Sequence, residues 1–163
     1  MLEALVAAAT GAPAGAFVEV GIYKGGSARR LYDLAQKQKR QIYLFDTFTG
    51  MPFADEGDSH PVGHFKDTDL STLFLIMPNA CFCQGIFPDT LPAHLANIAF
   101  AHIDCDQYRS ITACIDYLGP LMVPGGIMWF DDTVLSAGMR AVLGRFAPSR
   151  LEAALEGRMF VRY

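Results

Sequence analysis

No stretch of the 163 residues approaches the roughly 20 apolar residues of a membrane span, so an integral membrane protein is not expected. The Ala-rich start, Met1 to Thr10, carries Glu3 and no basic residue, which argues against a secretory signal. Cysteine is scarce. Cys81 and Cys83 stand at strand spacing, while Cys105 and Cys114 lie far off in the chain. No pairing suggests a disulfide framework or a zinc site, and buried free thiols of a cytoplasmic protein are the expected reading. Basic charge is in deficit: 13 Lys and Arg against 17 Asp and Glu leave a net charge of −4. The one basic cluster, Lys37 to Arg40, suits the end of a helix, where cations complement the dipole. A nucleic-acid partner is therefore disfavoured. Repeats and low-complexity tracts are also lacking. What remains is 52% hydrophobic and 18% charged, enough for one globular domain with a substantial core over residues 1–163.

Taken in order, Leu2 to Ala9 can form a short helix, stopped by Gly11 and Pro13. Ala16 to Val20 is a short apolar strand interrupted by Glu19, and it breaks into the glycine turn Gly21 to Ser27. Helical spacing of Ala28, Leu31, Tyr32, Leu34 and Ala35 follows. The strand Gln41 to Phe45 ends in Asp46, and the segment Thr47 to Asp67, rich in Gly, Pro, Asp and His, reads as a lid or binding loop. Asp69 can cap a helix from Leu70 to Met77, and Ala80 to Cys83 reads as a third strand. A short helix is expected within Pro88 to Ala96, and another over Ile111 to Leu118. Pro124-Gly125-Gly126 is expected to turn the chain into a strand ending at Asp131. Ala137 to Phe146 reads as a helix, and Arg150 to Tyr163 as a closing hairpin. Strands alternating with helices imply a mostly parallel α/β sheet covered on both faces.

The chemistry concentrates at the strand ends. The apolar run from Ile98 finishes in Asp104 and Asp106, and the run Ile127 to Phe130 finishes in Asp131 and Asp132. Ligands of open α/β sheets collect at the carboxyl ends of strands, so neighbouring strands would crowd four carboxylates onto one rim. The glycine turn lacks the G-x-G-x-x-G order of a dinucleotide site and the order of a phosphate loop. Glu19 just before it would repel a pyrophosphate and attract an amino group. Asp46 stands where an acid accepts hydrogen bonds from ribose hydroxyls. A ligand with an ammonium and a ribose but no phosphate satisfies both, and S-adenosylmethionine is such a ligand. His60 and His64 read as solvated loop histidines, His102 as a satisfied core histidine, and Tyr108 and Trp129 as packing.

Five ordered strings carry a more specific likeness: Val18-Glu-Val-Gly-Ile-Tyr-Lys-Gly-Gly-Ser27, Phe45-Asp-Thr-Phe-Thr-Gly-Met-Pro52, Gly85-Ile-Phe-Pro-Asp-Thr-Leu-Pro92, His102-Ile-Asp-Cys-Asp-Gln-Tyr-Arg-Ser110 and Pro124-Gly-Gly-Ile-Met-Trp-Phe-Asp-Asp132. Together, from about Phe17 to Phe146, the chain resembles the macrocin O-methyltransferase family of class I S-adenosylmethionine-dependent enzymes. The resemblance implies a Rossmann-like fold with a C-terminal antiparallel hairpin. It also implies that Glu19, Gly21 and Tyr23 line the methionine moiety, with Gly25, Gly26 and Ser27 closing over its carboxylate. Asp46 would bind the ribose, with Thr47 and Phe48 beside it, Gln84 and Gly85 flanking the adenine, and Asp104 at the donor's edge. Magnesium would be held by Asp104, Asp131 and Asp132, with Asp106 as general base and Asp104 assisting. The acceptor implied is a small molecule with a sugar hydroxyl.

Two departures from the family pattern stand out. Cys105 and Arg109 occupy positions where relatives commonly carry a small residue and an acid. The chain also starts almost directly at its first strand, without the helical region that relatives place over the acceptor. The acceptor cleft could be open, completed by another subunit of a homo-oligomer, or shaped for a different substrate. A catechol or other phenol acceptor, and a cofactor-binding module without turnover, stand as rival readings. An NAD-linked dehydrogenase is discouraged by Glu19 and the missing fingerprint.

Overall fold

Strand-forming and helix-forming runs alternate from the first residues onward. A computed structural model, which describes residues 2–131, 137–154 and 158–163, sets that alternation into one α/β layer system. The order is α1 (Leu2–Thr10), β1 (Ala16–Val20), α2 (Gly26–Lys37), β2 (Ile42–Asp46), α3 (Leu70–Ile76), β3 (Cys81–Gln84), β4 (Ile98–Ile103), α4 (Tyr108–Leu118), β5 (Met122–Phe130), α5 (Ala137–Arg145), β6 (Leu151–Ala153) and β7 (Met159–Arg162). The sheet runs β3-β2-β1-β4-β5-β7-β6. β1 to β5 pair in parallel, and β7 runs antiparallel to both β5 and β6. This is the expected mostly parallel sheet with a closing hairpin.

Successive residues of each strand face opposite sides of the sheet, so both sides must be apolar. Val18, Val20, Phe45, Ala101, Ile103, Met128 and Phe130 pack with Ile111, Cys114, Ile115 and Leu118 of α4 and with Met139 and Val142 of α5. Phe17, Leu44, Phe100, Ile127 and Trp129 pack on the other face with Leu5 of α1, Ala28, Leu31 and Ala35 of α2, and Leu73 of α3. The basic cluster sits at the end of α2 as expected. Its Arg40 guanidinium also donates to the carbonyls of Ala12, Pro13 and Gly15 and lies over the Phe17 ring, tying the first loop to the sheet.

Two local expectations are corrected. Residues 88–96 form two single turns, closed by Leu91 N to Pro88 O and Leu95 N to Pro92 O, and no helix. Pro92 has no N–H to offer the carbonyl four residues back, so the first turn cannot propagate. β5 begins at Met122, before the Pro-Gly-Gly turn. Met122 pairs with Ile98 and Ile127 with Phe100, which leaves Pro124-Gly125-Gly126 inside a bulge. Gly125, at φ 80°, donates there to the Tyr163 carbonyl. Cys83 and Cys114 are buried, and Cys81 and Cys105 half-buried. No helix among the described residues is long and apolar enough to cross a membrane.

Candidate active site

After β3 the chain crosses back to lay β4 on the other side of β1. Connections leave β1 and β4 in opposite directions, and a crevice opens where they diverge. Two glycines shape it. Gly21 ends β1 at φ 87°, and a Cβ there would stand 1.9 Å from the Asp104 carbonyl oxygen. Only glycine lets the exits of β1 and β4 approach this closely, and the bond from Asp104 N to Val20 O seals the contact. Gly85 at φ 137° faces Thr90 and lines the far side.

The floor and near wall are Val20, Gly21, Tyr23, Phe45, Asp46 and Thr47. Asp46 is the organising group. One carboxylate oxygen accepts from the Ile22 and Tyr23 amides at 2.7 and 3.0 Å, and the other from the Phe48 amide at 2.8 Å. The acid at the end of β2 thereby shapes the glycine turn after β1. Asp104, Asp106 and Gln107 close the opposite wall, and Met51, Pro52 and Phe65 of the long loop roof the crevice.

Of the residues expected at the donor, Gly21, Tyr23, Asp46, Thr47, Gly85 and Asp104 line this crevice, and six do not. Glu19 is completely buried under the sheet, accepting from Ser27 Oγ at 2.5 Å and contacting His102 Nδ1 at 2.9 Å. At this position of β1 the Glu19 side chain faces α2, where the half-buried Ser27 meets it. Gly25 caps α2 in the left-handed conformation against Leu73, and Gly26 is the first residue of the helix. Phe48 packs in the core near Phe82, and the Gln84 side chain is exposed.

Strand register builds a line of charge through the sheet. Glu19 pairs with His102, His102 with Trp129, and Asp131 is the next residue on that face. His102 Nε2 stands 3.6 Å from Asp131 Oδ1, an ion-pair distance beyond hydrogen-bond reach. Burial alone would lower the His102 pKa, but the Asp131 and Glu19 carboxylates on either side outweigh it and push it up to about 10. The histidine expected as a core residue is buried, held between two carboxylates that favour its charged form. Arg158, just before β7, binds Asp131 through Nε at 2.8 Å and Nη2 at 3.2 Å. Burial raises the Asp131 pKa, yet His102 and Arg158 together bring it down to about 2.

Asp104 and Asp106 behave in the opposite way. Burial lifts Asp104 to about 7; His102 pulls it down, while Asp131, Asp106 and Glu19 push it up. Asp106 sits at φ 57° and is likewise raised, by burial first, with His60 opposing and Asp131 adding to the effect. His60 Nε2 is 4.0 Å from its carboxylate, and His60 and His64 share an Nδ1–Nδ1 contact of 2.9 Å. His60 thus reaches the edge of the site, while His64 is exposed, the solvated loop histidine expected.

The expected magnesium cage of Asp104, Asp131 and Asp132 is not assembled by the described residues. No group of three or more His, Cys, Asp or Glu among them is placed to hold a metal ion. Asp131 meets the Arg158 guanidinium with both oxygens, so it does not fit as a magnesium ligand, and Asp132 lies outside the described residues. The rim repulsion foreseen from the acids is answered at Asp131 by an arginine and a histidine. Reasoning on the sequence missed Arg158, because nothing local ties a residue of the closing hairpin to the end of β5.

Comparison with known proteins identifies the family and the fold. The model of the family described as Macrocin-O-methyltransferase (TylF) matches residues 2–156. A Streptomyces olivaceus protein named 8-demethyl-8-(2,3-dimethoxy-alpha-L-rhamnosyl)-tetracenomycin-C 4'-O-methyltransferase is 30% identical over 172 aligned positions, which cover 91% of this chain. The chain spans 65% of that relative's length. The solved O-methyltransferase NovP superposes with a TM-score of 0.84 at 21% identity, over 99% of this chain and 78% of NovP. The calicheamicin methyltransferase CalS11 does so with a TM-score of 0.84 at 21% identity, over 99% and 77%. The fold is that of class I methyltransferases, and with the family model covering nearly its whole length the chain belongs to the macrocin O-methyltransferase family.

Proposed function

We propose that the protein transfers the methyl group of S-adenosylmethionine to a hydroxyl of a sugar moiety on a small molecule. The observation that carries this reading is the meeting, across one crevice, of Asp46 at the end of β2 with Asp104 and Asp106, two acids whose pKa values are raised. The family and the name of the Streptomyces relative, a 4'-O-methyltransferase of a rhamnosyl-tetracenomycin, support the sugar acceptor. The free thiols of the buried Cys83 and Cys114 suit a reducing, cytoplasmic setting.

The donor supplies a methyl group already activated on a sulfonium. The protein's work is therefore to align the acceptor oxygen and take its proton as the C–O bond forms and the S–C bond breaks. Asp106, on a left-handed turn at the crevice wall, is the proton acceptor in this reading. Burial raises Asp104 beside it to about 7, so the two acids carry their full negative charge only above that pH. Met51, Pro52 and Phe65 line the crevice with apolar surface from the long loop.

The test is methyl transfer to a panel of glycoside and catechol acceptors, with and without EDTA. Turnover of glycosides supports the reading, and turnover of catechols alone overturns the sugar assignment. A rate lost to EDTA and restored by Mg²⁺ would put a dication on the rim beside Asp104; an unchanged rate leaves His102 and Arg158 as its positive charges. Asp46→Ala removes the anchor of three backbone amides together with the ribose acceptor. At about 2 kcal/mol for hydrogen bonds to a charged group, calorimetry should show the donor's Kd rising about 30-fold. Unchanged affinity would remove Asp46 from the donor site.

A further inference from the structure

Arg109 opens α4 with no obvious reason to be there. A cation in the first turn opposes the helix dipole, and that turn holds no acidic residue of its own. Nor does α4 cap itself, since Gln107 makes no side-chain capping bond. The answer comes from the long loop. Asp58 Oδ1 accepts from the Tyr108 amide at 3.2 Å, capping the helix from outside. Asp55 takes the Arg109 guanidinium with both oxygens, from Nε at 3.0 Å and Nη2 at 2.5 Å, and the same guanidinium lies 4.2 Å over the Phe53 ring. Gln107, almost wholly buried, donates to the Phe53 carbonyl.

The grip on residues 53–58 reaches the crevice. Met51 and Pro52, immediately before it, roof the pocket. Met51 is bonded to the loop's other limb through Met51 N to His64 O and Gly63 N to Met51 O. Phe65 then meets Tyr23 at 4.9 Å, and Asp67 pairs with Lys24 at 2.8 Å. The loop is a strap clasped at α4 on one side and at the glycine turn on the other.

We propose that Arg109 is a positioning residue, whose ion pair with Asp55 holds this strap down and so slows escape of the methyl donor from the crevice. This rests on the donor site proposed above. An exposed bidentate pair of this kind sets the scale of the effect, about threefold in a rate. Stopped-flow dissociation of S-adenosylhomocysteine is the probe. Arg109→Ala and Asp55→Asn are each expected to raise the off-rate about threefold, with the on-rate unchanged. Exchanging the two residues (D55R together with R109D) should recover most of the loss, because the ion pair is restored with its charges reversed. Salt at 1 M, where the screening length falls to about 3 Å, should speed release from the wild type more than from Arg109→Ala, which keeps only the Lys24–Asp67 pair to be screened. Off-rates in Arg109→Ala and Asp55→Asn equal to the wild type overturn the proposal, as does an exchanged protein no better than the single variants. If Arg109→Ala folds poorly, Asp55→Asn breaks the same ion pair from the loop side and its off-rate decides. A wild type that does not bind S-adenosylhomocysteine at all instead refutes the donor site.

Discussion

Asp106→Asn is expected to lower kcat by roughly 10²- to 10³-fold, the usual contribution of a positioned general base. The binding of S-adenosylhomocysteine should stay within about twofold. Asparagine keeps the shape of the side chain and tolerates the left-handed backbone at φ 57°, so the turn has no reason to rearrange. What is lost is the ability to take a proton. Because burial raises the pKa values of both Asp104 and Asp106, the wild-type kcat/KM should fall on the acid side of about pH 7, where Asp104 becomes protonated. The two acids interact, so that limb belongs to the pair and not to either residue alone. Single-turnover rates across pH 5.5 to 9 would check both statements. An Asp106→Asn protein keeping more than a tenth of the rate would place the proton acceptor elsewhere.

The largest effect on stability is expected at His102. His102→Leu leaves Glu19 buried with no cation beside it and strips Asp131 of one of its two partners. Breaking a buried ion pair from one side costs about 3–5 kcal/mol, a large share of the roughly 5–15 kcal/mol that holds a domain folded. The pH dependence has a definite sign. The folded-state pKa, about 10, lies above the ordinary 6.5, so the histidine's contribution is complete below 6.5 and disappears as pH rises through 10. Denaturant titrations at pH 6, 8 and 10 should therefore show the gap between wild type and His102→Leu closing at the alkaline end. A gap that is absent, or constant with pH, would mean that the imidazole is neutral in the fold.

How much was legible in the chain follows from how local each feature is. The turn at Gly21 and the acid at Asp46 are punctuation within one strand–turn–helix unit, and both stand in the crevice. Asp69 capping α3 is equally local, with its carboxylate accepting from Ser71 and Thr72. Glu19 departs from its expected place because charge alone does not carry the parity of a strand. At that position the side chain faces α2, and Ser27 and His102 take its carboxylate before any ligand can. The departure at Arg109 was visible as an oddity, but its partner Asp55 lies 54 positions away in a loop with no periodicity.

The chain's own pattern was enough to determine the alternation of elements, the class of fold, and the acids at the ends of β2, β4 and β5. Side-chain period and turn chemistry act within a few residues and leave their mark on the sequence. Tertiary structure alone decided which acids would share a crevice and which would be neutralised. Strand order set β4 against β1, and β7 brought Arg158 to Asp131. Such pairings arise from burying one apolar surface against another far along the chain, and no local period encodes them.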